Sequence, residues 1–230
     1  EIDLAGPLAA GRSDWGRYAE GVVAGYRRLG WEIPGFEAAI TADLPAGGGL
    51  SSSAALEMGI ATVVETLCGR RLPAAERALL CQRAEHEFAG VPCGIMDQFA
   101  VACGRAGHAL LLDCRSREPR FVPLAAEVAV LVIDSGVKHA LVDGGYAARR
   151  RDCEAAARLL GRAALRDVTP AEWAAGEPSI PDTLRRRARH VITENSRVLA
   201  FAAALEVRDW PDRKSTRLNS SHANISYAVF

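Results

Sequence analysis

The chain has 230 residues, 28 Lys+Arg against 28 Asp+Glu, and 49% apolar residues, enough for one large domain or about two ordinary ones. Zero formal net charge speaks against a nucleic-acid or membrane-surface protein, because either needs a basic excess to draw in phosphates. Apolar runs such as Val128–Ile133 fall far short of the roughly 20 residues that span a bilayer, and no charged start followed by an apolar stretch marks a signal peptide.

In chain order, Asp14–Leu29 sets Trp15, Tyr18, Ala19, Val22, Val23 and Tyr26 at helical spacing, and Gly30 closes it. Phe36–Leu44 predicts a strand stopped by Pro45. A Gly/Ser loop follows, and Leu56, Ile60, Val63, Val64 and Leu67 continue it as an apolar helix face ended by Gly69. A second helix starts near Pro73 and runs to Gly90. The break Val91-Pro-Cys-Gly94 precedes a helical pattern over Ile95–Val101. Gly107–Cys114 and Val128–Asp134 read as strands, the second dense enough in Val, Leu and Ile to be buried. Tyr146–Leu160 is an Arg-rich helix, and helical stretches follow around Ala171–Ala175 and Asp182–Leu205. The chain is therefore α+β, with strand signals fading after residue 165. The six cysteines form no CxxC pair and read as free, buried thiols of a cytoplasmic protein.

Composition changes near the C-terminus. Before residue 213 the only lysine is Lys138, whereas 213–230 carries Lys214, two of the three Asn, and no acid or Gly. That stretch resembles translated sequencing-adapter read-through and is expected to be non-native. Without Arg213, Lys214 and Arg217 the body counts 25 basic residues (28 minus 3) against 28 acids.

Gly47, Gly48, Gly49, Leu50, Ser51, Ser52 and Ser53 lie between a predicted strand and a predicted helix. Glycines let the backbone approach a ligand closely, and the helix aims its unpaired N–H groups at the loop. Together they suit a phosphate. The alternative is a flexible connector whose serines cap a helix. No GK[ST] follows the glycines, so this is not a Walker A loop. Two acids stand out beyond it. Asp97 lies among Ile95, Met96 and Phe99 and is either a surface carboxylate or one facing a cleft. Glu85, followed by His86 and Glu87, fits a solvated face as well as a site.

Leu44-Pro-Ala-Gly-Gly-Gly-Leu-Ser-Ser-Ser-Ala-Ala55 resembles the ATP-binding motif of the GHMP small-molecule kinases. Ala84-Glu-His-Glu-Phe-Ala-Gly-Val-Pro-Cys-Gly-Ile-Met-Asp-Gln-Phe99 narrows the resemblance to the galactokinases. Val132–Leu141 and Tyr146–Arg158 fit the same family, so the similarity runs from about Trp15 to Pro211. It implies a GHMP-kinase fold. Residues 1–165 would form an N-terminal α/β domain like the second domain of ribosomal protein S5, and 166–212 the helical start of a C-terminal domain.

The resemblance also implies roles. Gly47 through Ser53 would cradle the phosphates of ATP, and Ser53 and Glu85 would hold Mg²⁺. Asp97 would orient and deprotonate the 1-hydroxyl of galactose, and Tyr146 would contact the sugar. The family opens with a GRVNLIGEHTDY-type segment and ends with a glycine-rich GGGFGG-type motif, neither of which occurs here. An inactive internal fragment of a cytoplasmic, monomeric sugar 1-kinase is the expectation. An N-acetylgalactosamine or arabinose kinase, or a non-catalytic sugar sensor, are the alternatives.

Overall fold

The computed structural model describes residues 2, 6, 8, 14–46, 49–127, 130–132 and 145–207, with the backbone of 227–229; the side chains of 145 and 146 lie outside that set. The chain divides into two compact units, Glu1–Gly104 with Leu131–Ala140 and Arg105–Val130 with Leu141–Phe230.

The first unit is helical where described. It contains α1 (Gly16–Arg28), α2 (Ser52–Leu67), α3 (Ala74–Ala84), a π turn (Glu85–Ala89) and α4 (Met96–Cys103). α1 packs on α2 and α3 through Ala19, Val22, Val23 and Tyr26, the face its spacing predicts, although Trp15 stays outside. Small residues let these helices close up. A Cβ on Gly21 would lie 2.9 Å from Ala84 Cβ and 3.1 Å from Ala84 Cα.

α2 departs from the expected face. Its buried residues are Ala54, Glu57, Met58, Ile60, Ala61, Val64 and Glu65, whereas Leu67 is exposed and Leu56 and Val63 are half-buried. Two carboxylates turn inward with the apolar residues, and Glu65 has the partners to allow it. It accepts from Tyr26 Oη at 2.7 Å, Arg77 Nη1 at 2.9 Å and Leu72 N at 3.1 Å. The expected continuous helix from Pro73 to Gly90 instead ends as the π turn, which Gly90 closes in the left-handed region at φ 69°.

The strand expected over Phe36–Leu44 does not form. Residues 36–44 follow an irregular path and are mostly exposed, because no described strand lies beside them to take up a ladder. Most of the strand expected over Val128–Asp134 lies outside the described residues. Its described part, Val130–Val132, is exposed and unpaired rather than buried.

The second unit holds a hairpin and a helical layer. β1 (His108–Asp113) pairs antiparallel with β2 (Glu118–Pro123), in register from His108↔Pro123 to Asp113↔Glu118. Arg117, at φ 63°, takes the left-handed conformation in the connecting turn. α5 (Gly145–Leu159), α6 (Pro170–Gly176) and α7 (Asp182–Glu206) follow. Ala109, Leu111 and Val122 of the hairpin pack on Val198, Ala202 and Leu205 of α7. Arg166 binds Asp113 through two hydrogen bonds of 2.7 Å, and that bonding holds the Asp113 carboxyl well below its usual range.

Leu165 is buried in this unit with Ala156, Ala157, Trp173 and Val191. In the terminal stretch set aside as non-native, β3 (Tyr227–Val229) pairs antiparallel with β1 and gives the strand order β2-β1-β3. An apolar Tyr-Ala-Val segment suits an open sheet edge. Among the described residues, no helix is long and apolar enough to cross a membrane.

Candidate active site

The site is built where α2 begins. Gly49 takes φ 74° and Ser51, the residue before the helix, φ 56° and ψ 36°. A left-handed conformation costs a side-chain-bearing residue about 1–2 kcal/mol, so the loop is held in shape against local preference. Ser51 makes no side-chain bond to the first turn of α2. The first-turn N–H groups are therefore not capped from within by that serine. Leu50 is exposed and Ser51, Ser52 and Ser53 are half-buried, while Gly47 and Gly48 lie outside the described residues.

Ser53, in the first turn of α2, hydrogen-bonds the carboxylate of Glu85. Glu85 opens the π turn and is buried. Its Oε2 accepts from Gln98 Nε2 at 2.7 Å and from Cys93 Sγ at 3.3 Å. The break that carries Cys93 is itself pinned. Gln82 Nε2 donates to the Cys93 carbonyl at 3.3 Å, and His86 Nε2 lies 2.9 Å from the same oxygen. α4 then places Asp97, half-buried, in its first turn and buries Gln98 and Phe99 completely.

Three carboxylates share this region, and each feels the others. Burial pushes the Glu85 carboxyl up, donation from Cys93, Ser53 and Gln98 pulls it back, and the charge of Asp97 raises it again. Glu57, one turn beyond Ser53 on α2 and fully buried, is pushed up to about 9 by burial and then by Glu85 and Asp97. The hydroxyl of Tyr18 is also raised, by burial first and then by Glu85.

This donor set fits a hard divalent cation carried largely by phosphate. Among the described residues, no group of three His, Cys, Asp or Glu could hold an ion unaided. Ser53 and Glu85 instead offer two hard oxygens in contact, beside the carboxyl groups of Glu57 and Asp97. Of the residues singled out in the sequence, Ser53, Glu85 and Asp97 come together, and Ser51 and Ser52 lie beside them. Tyr146 begins α5, and its side chain lies outside the described residues.

Sequence reasoning missed Glu57, Gln98 and Tyr18. Glu57 carried a usable signal, because it follows Ser53 by one helical turn and so shares its face. Gln98 was visible only as the neighbour of Asp97.

Residues 17–105 match the family described as GHMP kinases N terminal domain. The chain is 45% identical to the galactokinase of Bos taurus over 218 residues, 94% of this chain and 55% of that protein. It is 45% identical to the galactokinase of Roseiflexus sp. over 216 residues, 92% of this chain and 55% of that protein. Among solved structures, Lactococcus lactis galactokinase complexed with galactose superposes with a TM-score of 0.78 at 29% identity, covering 89% of this chain and 54% of that one. The chain thus spans about half the length of the curated relatives it matches.

Proposed function

We propose that the protein carrying this chain is a GHMP kinase that transfers the γ-phosphoryl group of ATP to the 1-hydroxyl of galactose. The observation that carries the reading is the meeting of Ser53, Glu85 and Asp97 at the N-terminal end of α2. Galactose is the sugar named for the Lactococcus lactis structure, and 45% identity to galactokinases favours it over N-acetylgalactosamine or arabinose.

In this reading Gly47–Ser53 and the first turn of α2 hold the phosphates through backbone N–H groups. Ser53 and Glu85 would hold Mg²⁺, which would supply charge to neutralise that on the phosphates. Asp97 accepts a hydrogen bond from the sugar 1-hydroxyl and aligns it on the phosphorus. That hydroxyl is a far weaker acid than Asp97, so the proton moves late, as the new O–P bond forms. Positioning and charge neutralisation supply most of the acceleration. Tyr146 is assigned a sugar contact, and residues 1–165 and 166–212 the N-terminal domain and the start of the C-terminal domain. The six cysteines are all free, which suits a reducing, cytoplasmic setting and a monomer without covalent cross-links.

The test is to express the protein from its complete reading frame and follow ADP release and phosphate transfer by ³¹P NMR. Galactose 1-phosphate should form from ATP, with N-acetylgalactosamine and arabinose turned over more slowly. Galactose binding without transfer to any sugar would instead identify a sensor.

A further inference from the structure

We propose that Gln98 is a positioning residue that fixes the orientation of the Glu85 carboxylate, and that Glu57 is the anchor that fixes Gln98. The proposal rests on the reading above in one respect, that Glu85 holds the cation of the nucleotide.

A glutamate does not fix its own carboxylate. Its terminal torsion is broad and roughly two-fold, so the plane of the oxygens is set by whatever donates to them. At Glu85 one such bond comes from Gln98 Nε2, at 2.7 Å. The same nitrogen also donates to Glu57 Oε2 at 3.3 Å and lies 3.9 Å from Cys93 Sγ. One amide group thus joins α2, the π turn and α4, with a carboxyl oxygen on each of the first two. Glu85 Oε2, which also accepts from Cys93 Sγ, takes the N–H side of the amide, and the observed orientation satisfies it.

This arrangement is not what stability alone would select. Glu57 and Gln98 are fully buried, and Oε1 of each has no hydrogen-bond partner. A buried polar atom left unpaired costs about 1–3 kcal/mol, and a residue such as Leu would pack beside Met58 and Ala61 without that cost. Such a network makes sense where geometry matters more than stability. The group it touches, Glu85, also binds Ser53 and stands beside Asp97. Groups that orient a metal-bearing side chain from behind typically change metal affinity 10–100-fold when removed.

The experiment uses protein from the complete reading frame, with Gln98→Met, Glu57→Met and Glu57→Gln variants. ATP binding is measured by calorimetry across a Mn²⁺ titration and again in excess chelator. Gln98→Met should raise the Mn²⁺ concentration for half-maximal enhancement about 10-fold or more, with chelator-bound ATP affinity unchanged. Glu57→Met should act in the same direction, and Glu57→Gln, whose amide oxygen can still accept from Gln98, should remain within about 3-fold of wild type. Should Gln98→Met not fold, Gln98→Asn, which keeps the amide but withdraws it by one methylene, is read in its place. Unchanged Mn²⁺ dependence in folded Gln98 variants, or equal loss of binding with and without metal, would overturn the proposal. Wild-type turnover reports separately on the kinase reading: a wild type that binds Mn-ATP yet phosphorylates no sugar refutes that reading and leaves the positioning result standing.

Discussion

The Tyr26 hydroxyl donates to Glu65 Oε1 at 2.7 Å across 39 residues of chain, and that bond ties the core face of α1 to a carboxylate buried on α2. Glu65 keeps Arg77 Nη1 and Leu72 N when the hydroxyl is removed, so the carboxylate is weakened rather than orphaned. Tyr26→Phe should lower stability by about 1.5–3 kcal/mol, the usual worth of a hydrogen bond to a charged group. Urea unfolding would register it as a lower midpoint at unchanged slope. A midpoint equal to wild type would mean the hydroxyl contributes nothing.

Gly21 and Gly25 both sit on α1 against α3, yet alanine should affect them differently. At Gly21 the new Cβ would meet Ala84 Cβ at 2.9 Å and Ala84 O at 3.1 Å, groups that cannot move without shifting a helix. At Gly25 it would meet Leu80 Cδ2 and Cγ at 2.8 Å, part of a side chain that can change rotamer. Gly21→Ala should therefore destabilise by about 1–3 kcal/mol. Gly25→Ala should come out within about 1 kcal/mol of wild type, because gained helix propensity offsets the repacking of Leu80. Thermal melts of the two variants side by side test the contrast.

Glu57 should make stability fall as pH rises. Its carboxyl titrates from about 9 in the folded protein against 4.5 ordinarily, so the folded state holds the proton more tightly than the unfolded chain. The stabilisation from that proton is complete below about 4.5 and is lost as pH rises to about 9. Glu57→Gln should flatten this part of the profile. Denaturant midpoints taken every half unit across the window would show equal slopes if Glu57 were ionised throughout.

Asp97→Asn keeps size and hydrogen bonding but cannot accept a proton. In the complete protein kcat should fall by about 10²–10⁴, the usual contribution of a positioned acid or base. ATP affinity should stay near wild type, because the loop and the cation hold the phosphates. A purely structural carboxylate predicts instead a lower melting temperature with kcat preserved in the folded protein.

Ser53→Ala and Glu85→Ala should each weaken the metal dependence of ATP binding, and Glu85→Ala more so, because it also strips Gln98 of its shortest hydrogen bond. Calorimetry with and without Mg²⁺ reads this directly. Identical metal dependence in both variants would remove these residues from the cation site.

Most helices were legible in the sequence. Apolar residues at helical spacing marked α1, α4 and α7, and Gly90 marked the end of the α3 region. β2 was not, because Glu118-Pro-Arg-Phe-Val-Pro123 carries two prolines and reads as a turn, whereas its strand form depends on pairing with β1. Phe36–Leu44 erred in the opposite direction. Its alternation is that of a strand, yet no described neighbour pairs with it.

At the site, Ser53, Glu85 and Asp97 were named from the resemblance of their motifs to those of the galactokinases. Glu57 shares the face of Ser53, but a glutamate on an apolar helix ordinarily belongs to a wet face, and Gln98 stood out only as the neighbour of Asp97. Only the packing of α2 against α4 shows them to be dry.

The π turn at Glu85–Ala89 takes one residue more per turn than the helix it extends, and it keeps both Glu85 and Phe88 on the buried side. Each residue of an α-helix advances the chain by about 100°, so removing one residue here would swing everything beyond it, Cys93 and Asp97 included, around the helix axis. The same removal within the exposed, irregular 34–46 stretch would be absorbed locally. Insertions and deletions in the history of this gene should therefore gather in the second region and spare the first.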